Sequence, residues 1–309
     1  MKWLMRHISV FIAIAEAIVI VIAFWPSSSP PKPKEHYMLI GIYQPNSPGS
    51  YGDITAFSNA AGFTPRITSY YTSSFSMPFA TAFANQAAVG GTRVLVQWQP
   101  RGTTNLAIAT GQEDAAIVAA AQAIKTVNSQ VIISYGQEMN GNWYPWGDYP
   151  GNTASDYVAA YRHIWAIFRQ QGVQNVTWLW DPNIVYEGSS PLQSWYPGDQ
   201  YVDWVGLDGY YAQPTETFDT LFGPSINTIR SFTYKPLLIA EVGAAGSTAP
   251  AQIADTFSGA SLAGAIGIVY FDEAQSGDTE HQDWRLEDSP ASMSAFSAAV
   301  KLYADRPLT

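Results

Sequence analysis

Short β-branched apolar runs recur along the chain, each separated from the next by a longer stretch with helical spacing. Eight such runs stand at residues 38–43, 66–71, 94–98, 130–135, 176–180, 204–207, 237–240 and 267–271. Between them the pattern predicts helices over residues 53–61, 77–88, 113–127, 155–171, 217–231 and 250–260, with one more over 290–303. In the helix over 155–171, Tyr157, Val158, Tyr161, Ile164, Trp165 and Phe168 form one stripe that stops at Gly172, so Trp165 reads as core. Only residues 182–200, after the fifth strand, are too rich in Ser, Pro and Gly to mark a helix. Strands alternating with helices predict an α/β domain with a parallel sheet, and eight of them fit a closed (β/α)8 TIM barrel, a single domain over residues 37–309. In such a barrel the chemistry sits at the C-terminal ends of the strands.

The N-terminus breaks the alternation. Lys2, Arg6 and His7 precede an apolar stretch, residues 8–25, interrupted by Ser9 and Glu16, and residues 26–36 follow as a Pro/Ser linker. Residues 1–25 therefore read as a signal peptide or a signal anchor. The run approaches the roughly 20 residues that span a bilayer and no small-x-small cleavage site follows it, which favours the anchor. Glu16 favours the cleaved signal, because a charged carboxyl near mid-bilayer costs roughly 2.5–3.5 kcal/mol. Either way the positive flank stays inside, so the barrel is expected to be extracytoplasmic, secreted or tethered to the outer face of the cytoplasmic membrane through residues 8–25.

Charge and composition remove several functions. The net charge is −10, and Lys2, Arg6, Lys32 and Lys34 of the 15 basic residues precede the barrel, so its surface would repel a nucleic acid backbone. With no cysteine, disulfides and thiolate metal sites are excluded. His7, His36, His163 and His281 have no partner at a metal-ligand spacing, and no nucleophile elbow or phosphate-cradling glycine loop occurs; no metal or cofactor is expected. Asp272, Glu273, Asp278, Glu280 and Asp283 offer the oxygen ligands calcium takes, although a solvated acidic loop is the simpler reading.

What remains is rich in rings and short of charge, with 11 Trp and 18 Tyr against 13% charged residues. Such rings stack on the flat C–H faces of sugars, and many also belong to a core. Two apolar runs lead into glutamates, Ile132-Ile-Ser-Tyr-Gly-Gln-Glu138 and Lys235-Pro-Leu-Leu-Ile-Ala-Glu241. In the barrel these residues end the fourth and seventh strands and face one mouth. Hydrolysis of a glycosidic bond needs one protonated carboxyl to donate to the leaving oxygen and one ionised carboxyl to attack or to activate water. A lone strand-end glutamate is usually a surface charge. Here Trp98, Gln137, Asn140, Trp143, Trp146, Trp180-Asp181, Asp208, Tyr210 and Tyr270 fall at or near the same rim.

The segment Gln137-Glu138-Met139-Asn140-Gly141-Asn142-Trp143-Tyr144-Pro145-Trp146 resembles the acid/base motif of family 26 glycoside hydrolases, which include β-mannanases and related endo-glycanases of the retaining (β/α)8 clan. Residues 196–210, ending Gly206-Leu207-Asp208-Gly209-Tyr210, are similar to the family's sixth-strand signature, and residues 235–243 and 283–290 resemble its nucleophile strand and closing segment. The resemblance spans about residues 38–299. It implies Glu138 as general acid/base and Glu241 as nucleophile in a double displacement with retention. It also implies that Tyr210 hydrogen-bonds the nucleophile, that Asp208 helps fix the site, and that Trp143 walls the cleavage point. Trp98, Gln137, Asn140, Trp146 and Tyr270 join Trp143, Asp208 and Tyr210 as expected sugar-binding residues.

Two positions depart from the family pattern. Gln137 stands where the family usually has His; an amide keeps an orienting role but carries no proton charge. Tyr270-Phe271 stands where mannanases typically place Trp followed by Arg, leaving Tyr270 as the expected aromatic platform. The expected partner is a β-linked polysaccharide or oligosaccharide, β-1,4-mannan first, cut by a monomeric endo-acting enzyme. A lichenan-type β-glucan on the same scaffold and a non-catalytic polysaccharide-binding protein are the alternatives.

Overall fold

A computed structural model of the chain describes residues 37–274 and 282–304. The expected leader and linker, residues 1–25 and 26–36, lie outside the described residues, as do His281 and the Asp278 and Glu280 part of the acidic run. Among the described residues no helix is long and apolar enough to cross a membrane.

Eight strands form in the expected order: β1 (Leu39–Tyr43), β2 (Ile67–Tyr71), β3 (Arg93–Trp98), β4 (Val131–Tyr135), β5 (Val176–Trp180), β6 (Trp204–Tyr210), β7 (Leu237–Gly243) and β8 (Gly267–Phe271). All pair in parallel with their sequence neighbours, and β8 pairs with β1 to close a (β/α)8 barrel. The helices are α1 (Gly52–Ala61), α2 (Thr81–Val89), α3 (Asn105–Ala109), α4 (Asp114–Lys125), α5 (Ala154–Gln170), α6 (Phe218–Arg230), α7 (Ala249–Leu262) and α8 (Pro290–Tyr303).

The departures from the sequence pattern have local causes. The second helix starts at Thr81 instead of residue 77, because Pro78 pushes the residue before it out of helical conformation. A short extra helix, α3, precedes α4 and is capped by the Thr104 side chain. After β5 only a 3₁₀ turn forms, Leu192–Trp195. Strands β6 and β7 run three residues further than their apolar runs, so Asp208, Tyr210 and Glu241 lie within strands.

Alternate side chains on each strand face the barrel axis. Ile67, Leu95, Ile132, Leu179, Leu238, Ala240 and Val269 meet there as one buried layer, each large aliphatic contributing about 1.5–3 kcal/mol. Side chains of the other parity, among them Tyr70, Trp98, Tyr135, Trp178, Trp180 and Tyr270, pack outward into the core shared with the helices. Two residues beyond Leu95, Ile132 and Leu179 the same inward parity brings Gln97, Ser134 and Asp181, and β6 adds Asp208, two beyond Gly206, all buried. That polar layer is the floor of the mouth.

Candidate active site

Glu241 would face the helices if β7 were regular, because Leu238 and Ala240 already take the inward positions. A bulge reverses it. Leu207 pairs with Ile239 but Asp208 pairs with Glu241, and the same slip separates Ile239 from Val242 against β8. The extra residue turns Ala240 and Glu241 inward in succession.

Glu138 reaches the mouth by another route. Strand β4 stops at Tyr135, three residues before Glu138, because Gly136 enters the left-handed region at φ 56°. A Cβ on Gly136 would also come within 3.1 Å of both Trp146 and Tyr157. Glu138 itself sits at φ 56°, a conformation that costs a non-glycine residue on the order of 1 kcal/mol. Its N–H donates to the Asp181 carbonyl at 2.7 Å, which fixes the turn.

Donors converge on both acids. The Tyr210 hydroxyl donates to Glu241 Oε2 at 2.6 Å, and the Tyr71 hydroxyl and Gln97 Nε2 (3.2 Å) donate to Oε1. Trp143 Nε1 donates to Glu138 Oε2 at 2.7 Å and Asn183 Nδ2 to Oε1 at 2.5 Å. Asn140, buried, holds Asn183 in turn through its carbonyl (3.0 Å) and its N–H (2.9 Å). An oxygen of Glu138 and one of Glu241 lie within 4.8 Å of each other, as does one of Asp208. Retaining glycosidases space their carboxyls about 5–5.5 Å apart and inverting ones about 6.5–9.5 Å. The gap here is the short one.

Burial pushes the Glu138 carboxyl up, against the pull of its Asn183 and Trp143 hydrogen bonds. Burial and then the Glu138 charge push Glu241 up to about 8, opposed by the Tyr210 and Tyr71 hydroxyls. Two carboxyls this close in a dry mouth hold one proton between them. Three donors reach Glu241 and two reach Glu138. Glu138, Asp208 and Glu241 are also the set among the described residues that could surround a cation. All four glutamate oxygens already accept hydrogen bonds, so a cation would have to displace those donors.

The other expected sugar contacts divide. Trp143 is 44% exposed and lies 5.7 Å, centroid to centroid, from Tyr186, which is 39% exposed; together they form an open aromatic wall beside Glu138. Trp98, Trp146 and Tyr270 are buried and do not offer a sugar platform. Trp98 stacks on Phe75 and donates to its carbonyl, and Trp146 stacks on Tyr144 and donates to the Gln137 carbonyl. Tyr270 has the outward parity of β8, and its hydroxyl binds the backbone of Ala244 and Trp284. The inward position falls to Phe271, which packs with Tyr43 and Trp284. The Gln137 carboxamide is buried with no hydrogen-bond partner, so no bond from it orients Glu138.

Sequence reading placed Asp181 at the rim without a role and did not single out Tyr71, Gln97 or Asn183 as site residues. Counting by twos from the inner apolar residues Ile67, Leu95 and Leu179 reaches Tyr71, Gln97 and Asp181. Asn183 carries no such signal.

Residues 53–257 match the profile of glycosyl hydrolase family 26. The chain belongs to this family. Endoglucanase H of Acetivibrio thermocellus is 31% identical over 250 residues, which cover 76% of this chain and 27% of that protein. A "Mannan endo-1,4-beta-mannosidase A and B" of Caldalkalibacillus mannanilyticus is 30% identical over 112 residues, 34% of this chain and 20% of the relative. The chain thus spans about a quarter of the length of these relatives. The structure of a modular endo-β-1,4-mannanase from Cellulomonas fimi shares the fold with a TM-score of 0.65 at 16% identity, covering 85% of this chain and 70% of that one. Within family 26 the match takes in both glutamates and every donor that holds them.

Proposed function

We propose that the protein is a retaining endo-glycosidase of β-linked polysaccharide, with β-1,4-mannan as the first substrate to test. The observation that carries this reading is the short gap between Glu138 and Glu241; we assign the charge to Glu241, which has three donors, and the proton to Glu138, which has two. Glu241 attacks the anomeric carbon as Glu138 gives its proton to the departing glycosidic oxygen. A glycosyl ester on Glu241 results. Glu138, now ionised, takes a proton from water, which attacks the same carbon and releases Glu241. Two inversions return the original configuration. The open Trp143–Tyr186 wall suits the departing side of the chain, since it borders the acid.

A β-glucan substrate is the second reading. Endoglucanase H aligns over 76% of the chain, whereas the mannosidase aligns over 34%. Phe271, in the inward position of β8, gives no hydrogen bond of the kind an Arg there would give. Reducing-sugar release from mannan, lichenan and xylan, with NMR of the first-formed anomer, tests both. Release from mannan with retention is expected; release from lichenan alone selects the glucanase, and inversion removes the mechanism. Binding without turnover on any of them leaves a polysaccharide-binding protein.

We further propose that the protein acts outside the cytoplasmic membrane, because its polymeric substrate does not cross one and residues 1–25 have the composition of an export segment. Fractionation of the expressing cells checks this, and a wholly cytoplasmic product would sink it.

A further inference from the structure

The polar floor of the mouth holds four acids, Glu138, Glu241, Asp181 and Asp208, and among the described residues no Lys, Arg or His forms an ion pair with them. Such a box cannot be fully ionised. Glu138 keeps one proton for catalysis, and the rest of the excess charge falls on the two aspartates.

Asp181 follows β5 and touches both glutamates' supports. Its backbone carbonyl receives the Glu138 N–H at 2.7 Å. Its Oδ2 accepts from Gln97 Nε2 at 2.9 Å and from Ser134 Oγ at 3.4 Å, and the same Gln97 nitrogen reaches Glu241 Oε1 at 3.2 Å. Its carboxyl also lies against β6, where a Cβ on Gly206 would come within 2.0 Å of Oδ1; only a glycine leaves that space. Strands β5 and β6 pair at just two positions, Leu179 with Trp204 and Trp180 with Val205, so the carboxyl stands where the ladder has ended.

Asp208, on β6, is fully buried and has no donor for either oxygen from an ordinary hydrogen-bonding group. It lies within hydrogen-bonding reach of Asp181. Two carboxylates repel, whereas a carboxyl and a carboxylate share a proton in a strong hydrogen bond. A proton on Asp208 gives its buried oxygens a partner. Burial and the neighbouring acids hold Asp208 well above the usual carboxylate range and push Asp181 up to about 7.

We propose that Asp181 is a positioning residue for both catalytic glutamates, holding Glu138 through its backbone carbonyl and Glu241 through Gln97, with its carboxyl kept in place by a proton shared with Asp208. The inference rests on the reading of Glu138 and Glu241 as the reacting pair. The titratable groups that face Asp181 are Glu138 beyond β4, Asp208 on β6, Glu241 on β7, and Tyr157 and Tyr161 on α5.

The test compares Asp181→Asn with Asp181→Ala in the full chain. In Asp181→Asn the amide oxygen still accepts from Gln97 and the amide nitrogen donates to an ionised Asp208, so kcat stays within about five-fold of wild type. Asp181→Ala frees Gln97, and kcat falls by about 10²-fold with KM within about three-fold. Where Asp181→Ala does not fold, Gln97→Leu gives the same split of kcat from KM. The shared proton has its own readout: the decline of Tm from about pH 4 to about pH 7–8 becomes shallower in Asp181→Asn, which has one fewer proton to lose. Wild-type kcat in Asp181→Ala, equal damage in both Asp181 variants, or an unchanged Tm slope in Asp181→Asn overturns the proposal. If the wild type cleaves no β-glycan, that retires the glycosidase reading alone. The Tm slope and the Glu241 position in a crystal structure of Asp181→Ala then decide the positioning role, and an unmoved Glu241 ends it.

Discussion

Glu241 and Glu138 occupy one mouth but are lodged in different ways. Glu241 sits within a strand, turned inward by a bulge, and its donors Tyr71, Gln97 and Tyr210 come from β2, β3 and β6. Glu138 sits in a turn beyond β4, in a left-handed conformation, and its donors Trp143 and Asn183 both come from loops. The group expected to stay ionised and fixed is held by the barrel wall. The group expected to exchange protons with substrate and water is held by side chains that loops carry. Rigidity follows the demand of the chemistry, since a nucleophile must meet carbon along one line while an acid must only reach an oxygen.

Removing the acids is the most severe way to test this division. Glu241→Ala is expected to lower kcat by at least about 10⁴-fold while oligosaccharide affinity by calorimetry stays within a few-fold. A loss of binding equal to the loss of turnover would mean Glu241 is a binding group. Glu138→Ala is expected to cost about 10²–10⁴-fold on polysaccharide and far less on an aryl glycoside whose leaving group needs no proton. Equal losses on the two substrates would remove its role as acid.

Removing donors separates the two lodgings through the pH profile of kcat/KM. Tyr71→Phe or Tyr210→Phe takes away a hydrogen bond to a carboxylate, expected to cost about 10–100-fold. Those hydroxyls lower the Glu241 pKa, so the acidic limb should move to higher pH. Asn183→Ala is expected to cost less, about ten-fold or below, because Trp143 still donates to Glu138. Its hydrogen bond lowers the Glu138 pKa, so its loss should carry the alkaline limb to higher pH. If the two classes of variant shift the same limb, the assignment of charge and proton is wrong.

The smallest expected effect is on stability. Burial raises Asp181 to about 7; Asp272, buried beside Glu287, is raised to about 8, and the Glu138–Glu241 pair keeps one proton as well. Unfolded carboxyls titrate near 4, so the native state holds the extra protons and stability is greatest below about pH 4. It should decline as pH rises through about 7–8 and level off above, with a slope of roughly 1.4 kcal/mol per pH unit for each such proton. A Tm that rises between pH 5 and pH 8 would contradict the burial of these acids.

The barrel was legible because its cause is local. A β-branched run of five or six residues fixes a strand, a 3.6-residue stripe fixes a helix, and eight alternations leave a closed parallel sheet as the compact solution. The apolar runs that lead into them singled out Glu138 and Glu241, and the resemblance of long motifs, not periodicity, singled out Trp143 and Tyr210. Sequence reading misjudged Trp98, Trp146 and Tyr270, because an aromatic near a strand end faces either the mouth or the helices according to a parity that the ring itself does not announce.

By itself the sequence determined which segments become strands and which acids are available. Only the tertiary structure decided which way those acids point. The β7 bulge exists as a slip between three strands, the left-handed turn at Glu138 is held by the carbonyl of Asp181, and Asn183 is placed by Asn140 more than 40 residues earlier. Propensity and periodicity act over a few neighbouring residues. Register, closure and the meeting of four buried carboxyls depend on contacts between segments far apart in the chain, and those form only when the barrel closes.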